Sequence, residues 1–215
     1  MNHRRLIPLA LAALALTACT KTVTGASPVT GSNGPTGGQQ TTNAQSNNDK
    51  PKFGGDFERV CSDGIGFGGV AEYSRTPKVL HPAVLLTKEG GDLWVNQVPS
   101  SDYPPGWFIN YNGDFGTAQL VVCYERTSVV PTGKTCEMTD SKTKQPFTLT
   151  MFNTKYTLRI LEARTGKVVF TKNGLASSTD CPTITFTSGD DDRTKYYTDL
   201  QPRDYRSALK PYIAP

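Results

Sequence analysis

From about residue 79 onward, apolar and β-branched positions fall in short runs bounded by Gly, Pro, Asn or Asp. Bounded runs of this kind predict strands, because branched and aromatic side chains pack well on a pleated, half-buried surface. Such runs occupy 79–87, 92–98 and 107–111. The run at 117–126 has a continuously apolar centre, Leu120-Val121-Val122-Cys123-Tyr124, as expected of a strand buried on both faces. Thr132-Gly133-Lys134 reads as a turn into a strand at 135–139. Residues 147–152 and 155–163 alternate, with Phe147, Leu149 and Met151 followed by Tyr156, Leu158 and Ile160. Residues 164–167 read as a hairpin turn into 168–172, and 182–187 as a last strand. No helical periodicity intervenes. The expected fold is mainly β: a single antiparallel β-sandwich, Ig-like or similar, with an open β-barrel as the alternative.

The C-terminus differs. Pro202 is placed to open a short helix over 202–210 and Pro211 to end it. Leu200, Tyr205 and Leu209 would dock that helix on the sheet.

The N-terminus has another grammar. Arg4 and Arg5 precede an apolar stretch over 6–16, and small residues then lead to a cysteine: Leu16-Thr17-Ala18-Cys19. The apolar stretch falls short of the ~20 residues that span a bilayer. A basic end, a short apolar core and small residues before a cut mark a signal peptide. The cysteine directly after the cut resembles the lipobox of bacterial lipoproteins. That resemblance implies cleavage after residue 18, acylation of Cys19, and attachment to the cell membrane or outer membrane on the extracytoplasmic side. Thr20, in place of Asp, favours the outer membrane where there are two. Two or more acyl chains give stable attachment, so the membrane is the first expected partner. Residues 19–55 read as a tether rich in Thr, Gly, Ser, Asn and Gln, too poor in apolar surface to pack; a coil of this length reaches about 33 Å. Residues 56–215 form the expected extracytoplasmic domain.

The leader carries two of the 23 basic residues and none of the 19 acidic ones, leaving about +2 on the remainder. No basic run with interleaved aromatics accompanies that small excess, which argues against a nucleic-acid partner. Once Cys19 is acylated, Cys61, Cys123, Cys136 and Cys181 remain. An even count in an exported chain predicts two disulfides. Three pairings are open; Cys123–Cys136 with Cys61–Cys181 is the favoured one. These cysteines lack the close spacing of a zinc site.

Candidate chemistry is sparse. Gly64, Gly66 and Gly69 spell G-x-G-x-x-G, but no buried strand precedes them and no long helix follows, so a tight loop is expected instead of a dinucleotide site. His81 is the one histidine left after the leader, which excludes a three-histidine zinc centre and H-E-x-x-H. No G-x-S-x-G elbow is present to pair with it. Asp190-Asp191-Asp192 offers oxygen ligands, with Asp190 and Asp192 as weak cation candidates, but lacks the spacing of a calcium loop. Glu72, Glu125 and Glu162 supply carboxylates without a spacing that selects a catalytic pair. Tyr103, Trp107 and Tyr111 cluster around Pro104-Pro105-Gly106, where rigid aromatics could anchor an envelope protein or a glycan, or else fill the core.

A looser resemblance to uncharacterised secreted or lipid-anchored bacterial domains rests on Cys61 with its following glycines, Ala71-Glu72-Tyr73, His81-Pro82, the Leu120–Cys123 run, residues 161–167 and Cys181-Pro182. It implies no ligand and no catalytic residue. The expected function is non-catalytic binding or display at the cell envelope, without a cofactor. A carboxylate-using envelope hydrolase and a structural assembly component are the alternatives.

Overall fold

The computed structural model describes residues 49–97, 102–185 and 194–215. Cys19, the expected leader, most of the expected tether, and Asp190 and Asp192 lie outside the described residues. Six strands form one sheet: β1 (Ala83–Lys88), β2 (Val95–Gln97), β3 (Leu120–Thr139), β4 (Pro146–Glu162), β5 (Val168–Ala176) and β6 (Lys195–Tyr197). The order is β2-β1-β3-β4-β5, with β6 beside β4. The sheet is mixed, because β1 runs parallel to β3 and β6 parallel to β4, while the other pairs are antiparallel.

The mainly β expectation holds, but the described strands make one open sheet and not two stacked ones. A helical layer covers each face. On β3, Val121 and Cys123 point one way, and Leu120, Val122 and Tyr124 the other. The first set joins Val84, Leu86 and Leu161 under Phe57, Val60 and Cys61. Those three come from a 3-10 turn (Gly54–Phe57) and helix α1 (Glu58–Asp63). The second set joins Leu85, Tyr156, Leu158 and Ile160 under Tyr205, Leu209 and Ile213, which fall four residues apart on helix α2 (Pro202–Ile213). Burying each such side chain contributes about 1.5–3 kcal/mol. The continuously apolar centre of β3 is thus buried on both faces, as its sequence predicts.

Residues 49–55 pack with the domain, ahead of the expected boundary at 56. Arg59 pairs with Asp49, whose carbonyl accepts from Gly69 N–H at 2.9 Å, and Pro51 is buried.

Several boundaries move. The expected turn at 132–134 is a bulge inside one 20-residue strand: the β3–β4 register slips between Pro131 and Thr135, with Gly133 at φ 74°. The runs at 147–152 and 155–163 likewise join as β4. Residues 107–111 give only a bridge, Phe108 to Ala83. Residues 182–185 form no strand. Helix α2 continues past Pro211 to Ile213, because Ile213 is fully buried and its carbonyl accepts from His81 N–H at 2.8 Å.

The disulfides are Cys61–Cys123 and Cys136–Cys181, which corrects the favoured pairing. Cys123 and Cys136 stand on the same strand. Their partners on β4, Arg159 and Leu149, are ten residues apart, which at ~3.3 Å per residue sets the two cysteines roughly 33 Å apart, beyond any bridge. Cys123 instead meets α1 above its face, and Cys136 meets the segment that follows β5.

The glycine-rich loop has a packing role. Gly64 caps α1 in the left-handed region, and Gly66 lies against the backbone of Arg164 and Thr165, where a Cβ would come within 2.6 Å. The hairpin turn at 164–167 is present as expected. Its Gly166, at φ 72°, faces Gly64 O so closely that no Cβ fits between them.

Candidate functional site

A cleft of about 990 Å³ lies at the far end of the second face. Three pieces of chain wall it. The first is the segment after β5, 177–183, which has no regular structure. Cys181 ties it to β3, Lys134 Nζ donates to Thr179 O, and Ser178 N–H reaches Asn153 Oδ1 at 3.4 Å. The second is β6 and its exit, where Thr198 N–H donates to Phe152 O at 2.9 Å. The third is the start of α2. Tyr156 and Ala176 lie between these walls. Tyr156 fits there because β5 has a glycine opposite: a Cβ on Gly174 would lie 2.5 Å from the Tyr156 ring.

The lining is polar and carries both signs of charge. Lys172, Arg203 and Arg206 face the cleft with Asp180, Asp199 and Asp204, beside the hydroxyls of Ser177, Ser178 and Thr179. The start of α2 offers little to an anion. Pro202 has no N–H, and the amides of Asp204 and Tyr205 both bond Gln201 O, at 2.9 and 3.2 Å. That leaves the Arg203 amide as the one first-turn donor without an intrahelical partner.

Asp199 is the most perturbed acid among the described residues. About half of its side-chain surface stays accessible, at 49%. Yet burial of the carboxylate against the sheet, reinforced by Glu89 and opposed by Arg126, pushes it up to about 6. Arg126 is the hub behind the cleft wall. Its side chain is 12% exposed, reaches Glu89 at 3.7 Å and Asp199 at 3.8 Å, and lies 4.5 Å over the Tyr197 ring. Tyr124, Tyr156 and Tyr205 stack nearby, with Tyr124 5.7 Å from Tyr156 and 5.8 Å from Tyr205. Burial pushes the Tyr124 and Tyr205 hydroxyls well above the usual phenol range. The buried hydroxyls of Tyr124, Thr154 and Thr198 have no hydrogen-bond partner among the described residues.

The aromatic stretch does not assemble into one surface. Trp107 is buried in the core, 5% exposed, and so has no face to offer a ligand. Tyr103 is half-buried, with its edge on Phe108 at 5.0 Å and on Tyr205 at 6.5 Å, and burial raises its hydroxyl to about 12. Tyr111 stands in solvent, 68% exposed. His81 is a core residue: Nδ1 lies 2.7 Å from Gln119 Oε1, and the ring sits edge-on to Tyr73. Glu72 pairs with Arg164 and Glu125 with Lys88. Glu162 accepts from Thr165 at 2.6 Å. No three potential metal ligands gather among the described residues, and no helix there is long and apolar enough to cross a membrane.

The residues that do converge, Asp180, Asp199, Arg206 and Tyr156, come from four parts of the chain, and no local motif joins them. A sequence signal existed only for the wall at 177–183, whose Ser-Ser-Thr-Asp run before a cysteine reads as a tethered polar loop. No family model, curated protein or solved structure matches the chain.

Proposed function

We propose that the chain is a lipid-anchored protein of the bacterial cell envelope that binds a polyhydroxylated ligand, a glycan of the envelope, in the cleft between 177–183 and α2. The observation that carries this reading is the composition of that cleft. Carboxylates accept from ligand hydroxyls, Lys172 and Arg206 donate to ligand oxygens, and the hydroxyls of Ser177, Ser178 and Thr179 do both. Sugars present a dense array of hydroxyls that both donate and accept, which suits a lining of mixed charge and hydroxyl groups. The lipobox and the tether support the location, since an anchored domain on a long coil reaches polymers near the membrane. Binding of the mature chain to a panel of cell-wall and surface glycans, compared with Asp180→Ala and Arg206→Ala, tests the reading. Saturable binding weakened about tenfold or more by either change supports it; no binding at millimolar glycan sinks it. Conversion of Cys19 to Ser is expected to release the protein from the membrane fraction.

Asp199 favours a second reading, hydrolysis. An acid held near 6 beside an open cleft is suited to donate a proton to a leaving oxygen, and Asp180 and Asp204 line the same cleft as possible partners. Loss of glycan turnover in Asp199→Asn with binding retained would establish it; absence of any turnover leaves binding alone.

A further inference from the structure

The two disulfides differ in exposure. Cys61 and Cys123 are both 0% exposed, sealed between α1 and β3. Cys136 is nearly buried, but its partner Cys181 is exposed and lines the cleft. The segment carrying Cys181 has no secondary structure over 177–183, and among the described residues two hydrogen bonds besides the bridge, to Lys134 and Asn153, join it to the sheet.

We infer that Cys136–Cys181 is a redox-addressable latch on one wall of the cleft, open to a dithiol reductant while Cys61–Cys123 stays closed. The inference rests on the reading of that cleft as the binding site. Thiol–disulfide exchange needs access of a thiolate to one sulfur, and of the four bridged cysteines only Cys181 is an exposed residue. The attacking thiolate forms a mixed disulfide at Cys181 Sγ; Cys136 leaves as thiolate and takes up a proton. The second thiol of the reductant then displaces Cys181 Sγ. The bridge gains two electrons, giving two protein thiols, and the reductant leaves as its own disulfide. Among the described residues the wall at 177–183 then keeps two hydrogen bonds to the sheet, each of small net worth, and is free to move, while both faces of the sheet keep their cores. A dithiol oxidoreductase of the envelope is the class of partner that would work the latch.

The test uses the processed, lipidated protein in detergent, titrated with dithiothreitol under native conditions and then alkylated, with peptide mass spectrometry and amide exchange as readouts. Cys136 and Cys181 are expected to label at reductant concentrations about tenfold or more below those for Cys61 and Cys123, with exchange over 177–183 rising about tenfold and that of β3 and β4 unchanged. The paired change Cys136→Ser with Cys181→Ser should give the same exchange pattern without reductant. Opening of both bridges together, or unchanged exchange over 177–183 in the reduced protein and the paired variant, would overturn the inference. Neither readout needs a ligand, so a failure of the glycan reading leaves this result standing on its own.

Discussion

The Asp199 carboxylate stands 3.8 Å from the Arg126 guanidinium, near enough for attraction but without a short hydrogen bond. Attraction across that gap is outweighed by the burial of the acid and the nearness of Glu89, so its value rises from 3.8 to about 6. A raised acid binds its proton more tightly in the folded chain than in the unfolded one. Its ionisation therefore costs stability as pH rises through about 4 to 6, and protonation restores that stability as pH falls. Asp199→Asn should match the natural protein near pH 4 and exceed it by roughly 1–3 °C at pH 7, a small effect because solvent screens half of the side chain. Thermal melts of both proteins across that range check the sign; a natural protein more stable than the variant at pH 7 refutes it.

The Cys61–Cys123 bridge closes a loop of 62 residues, which in a chain-entropy account is worth about 4 kcal/mol. Replacing both cysteines with Ser also buries two hydroxyls among apolar neighbours. The double change should cost at least ~4 kcal/mol in urea unfolding or leave the chain unfolded, and the double change to Ala should cost less.

Gly166 meets Gly64 backbone to backbone and sits at φ 72°. Gly166→Ala combines a left-handed strain with an overlap that no rotamer relieves, and should cost about 3 kcal/mol. Gly55, which has open space around its Cβ position, is the control, with a change to Ala expected within about 1 kcal/mol. Equal losses at the two sites would show that the interlocking of loop and hairpin is unimportant.

Trp107 and Tyr111, two aromatics of the 103–111 stretch, should behave differently on truncation. Trp107→Ala is expected to cost about 3–5 kcal/mol through the cavity it leaves. Tyr111→Ala should fall within about 0.5 kcal/mol, as a solvent-facing change does. Denaturant midpoints read both, and a neutral Trp107→Ala would contradict its place in the core.

What the sequence shows of this fold follows from how local each signal is. The apolar centre of β3, the alternation of β4 and the hairpin turn at 164–167 are nearest-neighbour patterns, and all three appear in the sheet. Tyr205 and Leu209 dock α2 as their spacing predicts. Strand β6 is missed, because three residues beside β4 carry almost no pattern of their own. The short α1 is missed too, since one and a half turns give too few repeats for a helical period, and its burial depends on β3. The cleft is invisible for the same reason: Lys172, Asp180, Asp199 and Arg206 are brought together by strand order and a disulfide. The favoured disulfide pairing took short separation as closeness, which an extended strand reverses.

Both bridges are rooted on β3, and this gives that strand a part in oxidation itself. In an unfolded, reduced chain Cys123 and Cys136 are the closest pair along the sequence, and the shortest loop has the lowest entropic cost of closure. Mispairing there is the first error open to a reduced chain as it oxidises. Extension of β3 against β4 drives those two thiols to opposite ends of a rod and makes the error geometrically impossible. Cys123 is then left to the N-terminal layer and Cys136 to the segment beyond β5. Backbone pairing, and not the spacing of the cysteines, acts as the proofreader of the covalent map.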